Sequence, residues 1–550
     1  MQPASALARG PRLKRGTRHA ARLEGTRSVA RFWPWPLAGL VGAGLAIELC
    51  WLVLTPLSFR MTHGAEYTQT LLLEHPLLAG WLDGLLPLAV RLAPAIQQQS
   101  TYIDPQLNTL VAIFVVTSAA YLAALMVLDR LVVPSRAALL VVVGFGLVFP
   151  LSLVPMPGLL TTDPFSYVMY GRIAFIYRLN PYLVPPGAFP SDPLLGWIHP
   201  SWVMQPSVYG PLWTDLSWLM AKLGAWIELD LVDQVSAYKL VANAAHLVNL
   251  GLVWWLLGRL LPAQRLTGFA MYAWNPLVIF EFAGNAHNDA LMLTFLLLGL
   301  APLARQARGA LAWSALLVWL GALVKFTGGV VSLFCLVAWA RGRRLTSLAA
   351  LGLGLLALTL VVSWRWLPGP DALQPLVQYA SGSIYGNSLV DLLGSLLGSR
   401  DLAKLLTRLV FLAYLGWEVR QVWRAAAQGT QATTRAVIAA SVRALLAVLV
   451  LVLTWVLTWY FTWPLALAVF LGWRSTLTRV VVAVSLTCLP FIYLKHYWGD
   501  AMPDALGLLY LVPLVGLALR RPSTRARTAP STAPGARQTA PAPRLPEPGG

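Results

Sequence analysis

Read from its N-terminus, the chain alternates between apolar runs of roughly 16–24 residues and short polar connections. Runs of that length suit helices crossing a hydrocarbon core of ~30 Å. They fall near residues 37–56, 107–128, 137–156, 235–258, 266–283, 287–303, 309–324, 328–340, 345–366, 403–419, 436–459, 462–473, 478–494 and 503–519. The pattern predicts an all-α polytopic membrane protein with about 12–14 transmembrane helices and short helices in its outer loops. Longer connections lie at about 57–106, 157–234 and 367–402, and the stretch 208–228 is aromatic and amphipathic, as suits a segment lying along a membrane interface.

Composition agrees: 57% of residues are hydrophobic and 11% charged, against about 25% charged in soluble domains. The net charge of +19 would suggest a nucleic-acid partner, but residues 1–32 carry +7 of it and residues 520–550 another +5. No nucleic acid is therefore expected. Residues 1–34 read as a basic cytoplasmic tail, 35–519 as the transmembrane domain, and 520–550 as a disordered Pro/Ala/Arg-rich cytoplasmic tail. The run starting near Pro36 is too long for a signal peptide and reads as a first membrane helix. Lys and Arg gather in cytoplasmic connections. Placing both tails, Arg130/Arg136, Arg259/Arg265, Arg305/Arg308, Arg341–Arg344, Arg420/Arg424/Arg435 and Arg474/Arg479 inside puts 28 basic and 4 acidic residues there, leaving 13 and 18 elsewhere. Both termini are then cytoplasmic in a plasma-membrane protein, and the long connections face outward. The cysteines at 50, 335 and 488 lie in apolar runs and read as buried thiols.

Chemistry-bearing residues collect on that outer side. Asp163 follows the third run, and Tyr167, Tyr170 and Arg172 come after it at near-helical spacing before Asn180-Pro181-Tyr182. A carboxylate at the membrane–water boundary can accept a proton from a hydroxyl. With Pro164 beside it, Asp163 can equally be a helix N-cap, and the two readings stand side by side. Glu281, Asn285, His287, Asn288 and Asp289 crowd a turn between two apolar runs, where solvation of the interface or a functional site would both place polar groups. Lys325 falls near the outer tip of a helical hairpin, free to snorkel to the surface or to hold a phosphate. Tyr209, Trp213, Tyr385 and the 459–464 aromatics could stack on sugars or anchor the interface.

No P-loop, nucleophile elbow, HExxH, Cys/His spacing or Asp-x-Asp pair occurs, so neither cofactor nor metal is expected. Taken in order, Asp163-x-x-x-Tyr167…Gly171…Asn180-Pro181-Tyr182, Tyr209-Gly210-Pro211-Leu212, Gly284-x-x-His287-Asn288-Asp289-Ala290-Leu291 and Val324-Lys325 resemble the polyprenol-phosphate-mannose-dependent α-mannosyltransferases of bacterial envelopes, within the GT-C class of membrane glycosyltransferases. The likeness covers roughly residues 110–500 and is most specific between 160 and 330. It implies transfer of a hexose, mannose by family analogy, from a polyprenyl-phosphate donor to a glycolipid or glycan acceptor hydroxyl on the outer face, with inversion. By the same analogy Asp163 is the general base. Arg172, His287, Asn288, Asp289 and Lys325 hold the donor phosphate and sugar, and Tyr167, Tyr170, Tyr182, Tyr209, Trp213 and Tyr385 are sugar or acceptor contacts. A transporter or flippase of lipid-linked sugars is the alternative, disfavoured because the ionisable groups collect at one face and no repeat is visible.

Overall fold

The computed structural model describes residues 34–61, 65–92, 104–131, 134–159, 161–366, 385–498 and 508–518, so both tails lie outside the described residues. Among those described, regular structure is helical apart from one isolated bridge between Gly386 and Trp455. Seven helices are long and apolar enough to cross a membrane: Trp35–Phe59, Leu107–Arg130, Arg136–Leu153, Leu231–Leu260, Leu345–Ser363, Thr430–Val452 and Thr476–Lys495. Shorter apolar helices occupy Asp289–Ala304, Ala310–Val324, Phe326–Ala340 and Thr458–Leu471. The chain is an all-helical, multi-pass membrane protein. Its outer surface agrees: Leu353, Leu356, Leu360 and Val361 on one helix are all more than half exposed, an apolar face that water would not tolerate and lipid would.

The expected run 266–283 is not one helix. Pro276 has no N–H to continue the ladder, and Asn275 instead caps a new turn by accepting from Leu277 N and Val278 N at 3.0 and 3.4 Å. A π-helical turn, Phe280–Gly284, follows, and then Ala286 adopts a left-handed φ of 59°. A π-turn and a non-glycine residue at positive φ both cost free energy, and both concentrate at functional sites.

Two further features fix the geometry of this end of the bundle. The helix Asp163–Phe175 packs against Pro211–Trp226 and Leu231–Leu260. Every residue from Asp163 to Gly171 is buried, so over these turns its polar side chains meet protein groups in place of water. A Cβ at Gly171 would stand 2.4 Å from Ser217 O, and one at Gly210 only 2.1 Å from Leu323 O. The Tyr-Gly-Pro-Leu segment therefore meets the end of the Ala310–Val324 helix backbone to backbone, with Gly210 N donating to Val324 O at 2.9 Å. That contact fixes the residue that follows, Lys325. Within the 208–228 stretch, Trp213, Thr214 and Ser217 are buried against neighbouring helices while Leu219, Leu223 and Trp226 stay exposed.

Candidate active site

The carboxylate of Asp163 is not a cap. Thr162 occupies the cap position, and Asp163 Oδ2 instead accepts from Tyr167 Oη at 3.2 Å, one helical turn on. On its other side His287 Nδ1 lies 3.3 Å away, while His287 Nε2 lies 3.2 Å from Glu281 Oε2. These contacts are close enough for ion pairing, although neither ring nitrogen makes a well-directed hydrogen bond. The imidazole is fully buried and stacks on Trp459 at 3.8 Å. Tyr167 also accepts from Asn288 N at 3.3 Å, tying the Asp163 helix to the His-Asn-Asp turn.

Burial opposes the charge on His287, but the carboxylates of Asp163 and Glu281 on either side push its pKa up to about 9. The magnitudes explain the outcome: each attraction at 3.3 Å is worth roughly 5 kcal/mol at an effective dielectric of 20, together more than the few kcal/mol of desolvation. For Asp163, burial works to raise the pKa. His287, Lys325 and the Tyr167 hydroxyl outweigh it and hold the carboxyl below the usual range. At neutral pH Asp163 is therefore a carboxylate and His287 an imidazolium.

A second pair stands beside it. Lys325 Nζ reaches both oxygens of Asp289 at 2.9 Å, and Trp463 Nε1 donates to the same carboxylate. The ammonium lies 4.8 Å from the Tyr460 ring and 5.4 Å from that of Trp463. An ammonium has three N–H bonds, so Asp289 leaves one for another partner. The Lys325 and Asp163 side chains retain 15% and 13% exposure while those of His287, Glu281 and Asp289 retain none. A substrate must approach along the Asp163–Lys325 edge.

The structure therefore brings Asp163, Tyr167, His287, Asn288, Asp289 and Lys325 into one cluster. Tyr209 and Trp213 wall it, with ring centroids 5.0 and 4.8 Å from Tyr167. Tyr170 is buried nearby, its hydroxyl on Gln205 O, and Tyr182 is a buried strut donating to Tyr209 O. Two expected residues stand apart. Arg172 is held by Asp192 in contacts of 2.9 and 3.0 Å, facing away along its helix, and Tyr385 lies under Arg400 and Lys404. Among the described residues no group of His, Cys, Asp and Glu is placed to hold a metal ion.

Several supports were not assigned from the sequence. Thr458 and Asn285 both donate to Glu281, and Asn285 Oδ1 accepts from Leu159 N. Lys239, buried in a membrane-length helix, donates to Met156 O and Gly284 O, holding both strands of chain that enter the site. A lysine early in an apolar run was a visible signal; its two carbonyl partners, 83 and 45 residues away, were not.

Residues 69–341 match the family model described as alpha-(1->6)-mannopyranosyltransferase, N-terminal domain. Over that segment, just under half of its length, the chain is similar to this mannopyranosyltransferase family. Asp163, Glu281, His287, Asp289 and Lys325 all fall inside it, whereas Trp459 and Trp463 do not. The chain is 28% identical over 226 residues to a probable alpha-(1->6)-mannopyranosyltransferase of Mycolicibacterium smegmatis, covering 38% of this chain and 37% of the relative. It is 29% identical over 185 residues to alpha-(1->6)-mannopyranosyltransferase A of Mycobacterium tuberculosis, covering 33% and 34%. With alpha-(1->6)-mannopyranosyltransferase B of Corynebacterium glutamicum the identity is 27% over 240 residues, covering 38% and 39%. The matches thus span little more than a third of these relatives' lengths. No solved structure matches the chain.

Proposed function

We propose that the protein is a membrane mannosyltransferase that takes mannose from a polyprenyl-phosphate donor and attaches it, with inversion, to a hydroxyl of a glycolipid or glycan on the outer face of the plasma membrane. The observation that carries the reading is the pairing of an ionised carboxylate, Asp163, with a partly free ammonium, Lys325, along the open edge of a buried site. Both lie within the family segment.

Inverting transfer needs two things on opposite sides of the sugar: a base for the incoming hydroxyl and positive charge for the departing phosphate. Asp163 is the base. Its carboxylate is kept ionised by His287 and oriented by Tyr167, so it is ready to accept the acceptor's proton as the bond to the anomeric carbon forms. Lys325 offers its remaining N–H to the phosphate oxygen, and Asp289 holds the ammonium in place. Fixed charges of this kind need no reorganisation during reaction, which is why they are usually the largest catalytic term. His287 and Glu281 set the charge and position of Asp163, and Trp459 fixes the imidazole plane. The donor's polyprenyl chain lies along the lipid-facing helices, its phosphate at the membrane boundary. A departing phosphate needs little protonation, which accounts for one base and no paired carboxylic acid of the glycosidase kind.

The test is reconstitution of the full chain in vesicles with a radiolabelled polyprenyl-phosphate mannose and a mannose-containing glycolipid acceptor. A new mannosidic bond in the acceptor is the expected result. Movement of label across the bilayer without a new bond identifies a lipid-linked-sugar transporter instead.

A further inference from the structure

At the far end of the bundle from the site lies a cleft of about 390 Å³. Its walls come from the ends of three helices and a turn: Arg259 and Leu260 at the end of Leu231–Leu260, Leu303 and Ala304 at the end of Asp289–Ala304, the first turns of Thr430–Ala447, and Phe470 with Leu471. Asp289 lies in the active site and Ala304 on this cleft, fifteen residues of helix apart. At 1.5 Å per residue that is about 23 Å, so the two cavities sit near opposite edges of the apolar layer.

No Asp or Glu lines the cleft, while Arg259 and Arg435 both do. The guanidinium of Arg259 lies 5.5 Å from the Trp255 ring, and that of Arg305, next to Ala304, lies 4.8 Å from the same ring. Two cations sharing one ring, with no carboxylate partner among the described residues, repel each other until an anion joins them. Thr430–Ala447 points its N-terminus into this space with no side chain capping its first turn, so the positive end of the helix dipole adds to the field. The hydroxyl of Thr434 completes the set. It is 6% exposed, lines the cleft, and hydrogen-bonds to no described residue. Below this polar rim the walls are Leu, Ile and Phe.

We infer that this cleft binds the phosphate headgroup of an anionic phospholipid, with the glycerol and upper acyl carbons against its apolar floor. A basic pocket between helix ends at the membrane boundary is the physical form such sites take. The inference is independent of the catalytic proposal, because none of its residues contributes to the cluster around Asp163.

The full-length protein, purified in detergent and exchanged with phosphatidylglycerol or phosphatidylcholine, is examined by native mass spectrometry. Wild type retains phosphatidylglycerol in preference to phosphatidylcholine, and Arg259→Gln/Arg435→Gln weakens that retention about ten-fold or more. Thr434→Val, isosteric and well tolerated by a helix, weakens it by a smaller factor. Thermal unfolding of each variant in detergent alone confirms that the fold is intact. Equal retention of both lipids by wild type, or retention unchanged in the double variant, overturns the inference. So does displacement of the lipid by millimolar inorganic phosphate, which would make the ligand a soluble anion.

Discussion

His287 and Asp163 titrate in opposite directions, and that gives the site a signed dependence on pH. His287 has its folded pKa raised from 6.5 to about 9. Its stabilising contribution is therefore complete below about 6.5 and is lost as pH rises through about 9. Asp163 is depressed below 3.8, so its contribution is present above that value and is lost as pH falls through the lower, folded one. Thermal stability and transfer should both decline on the alkaline side near pH 9. His287→Gln, which cannot ionise, should flatten that decline, and a profile unchanged by the substitution would show that another group titrates there. Lys325→Ala should weaken donor use, since a charged hydrogen-bond partner contributes roughly 1.5–3 kcal/mol, or one to two decades in rate, and Lys325→Arg should retain more activity than Lys325→Ala. Arg172→Ala is a contrast. With its guanidinium engaged by Asp192, removing it should lower the unfolding temperature and leave the donor KM nearly unchanged, as steady-state kinetics would report.

At the scale of elements, the contact between the Tyr-Gly-Pro-Leu segment and the helix carrying Lys325 leaves no room for a side chain. Gly210→Ala puts a Cβ 2.1 Å from a backbone oxygen, which cannot be relieved by a rotamer change. Overpacking of this kind costs about 1–3 kcal/mol and should also displace Lys325, so both melting temperature and transfer should fall. Gly251→Ala, where nothing lies within 4 Å, should instead hold or slightly raise stability, because a helix-interior glycine costs about 0.5–1 kcal/mol relative to alanine. Comparing the two by thermal unfolding separates steric from general effects of substitution. Which elements form was largely legible from the runs of apolar residues, and so was the clustering of Asp163, His287, Asp289 and Lys325, because the run boundaries placed all four on the same side of the apolar layer. Other parts were hidden for physical reasons. The break at Asn275-Pro276 falls inside an apolar run, so periodicity passes over it. The pairing of Arg172 with Asp192 depends on how a polar loop folds back over twenty residues, and the Asp289–Lys325 pair on two helices meeting, neither of which spacing along the chain encodes.

For the whole molecule, the arrangement requires the cluster and the arginine-rich connections to face opposite sides of the membrane. The exposed position Ser191 lies in the segment that covers the Asp163 helix. In a cysteine-free background, Ser191→Cys should react with a membrane-impermeant thiol reagent in intact spheroplasts, and a cysteine at Arg343 only after lysis. The opposite pattern would turn the molecule over and move the chemistry to the cytoplasmic face. The most direct test of the central claim concerns Asp163 itself. Asp163→Asn keeps the shape of the side chain and can still meet Tyr167, but it cannot take a proton. General-base catalysis contributes about 10²–10⁴-fold. Mannose transfer measured on reconstituted Asp163→Asn should therefore fall at least a hundred-fold while the protein remains folded and donor binding changes little. A folded Asp163→Asn protein that transfers mannose at the wild-type rate would remove Asp163 from the chemistry.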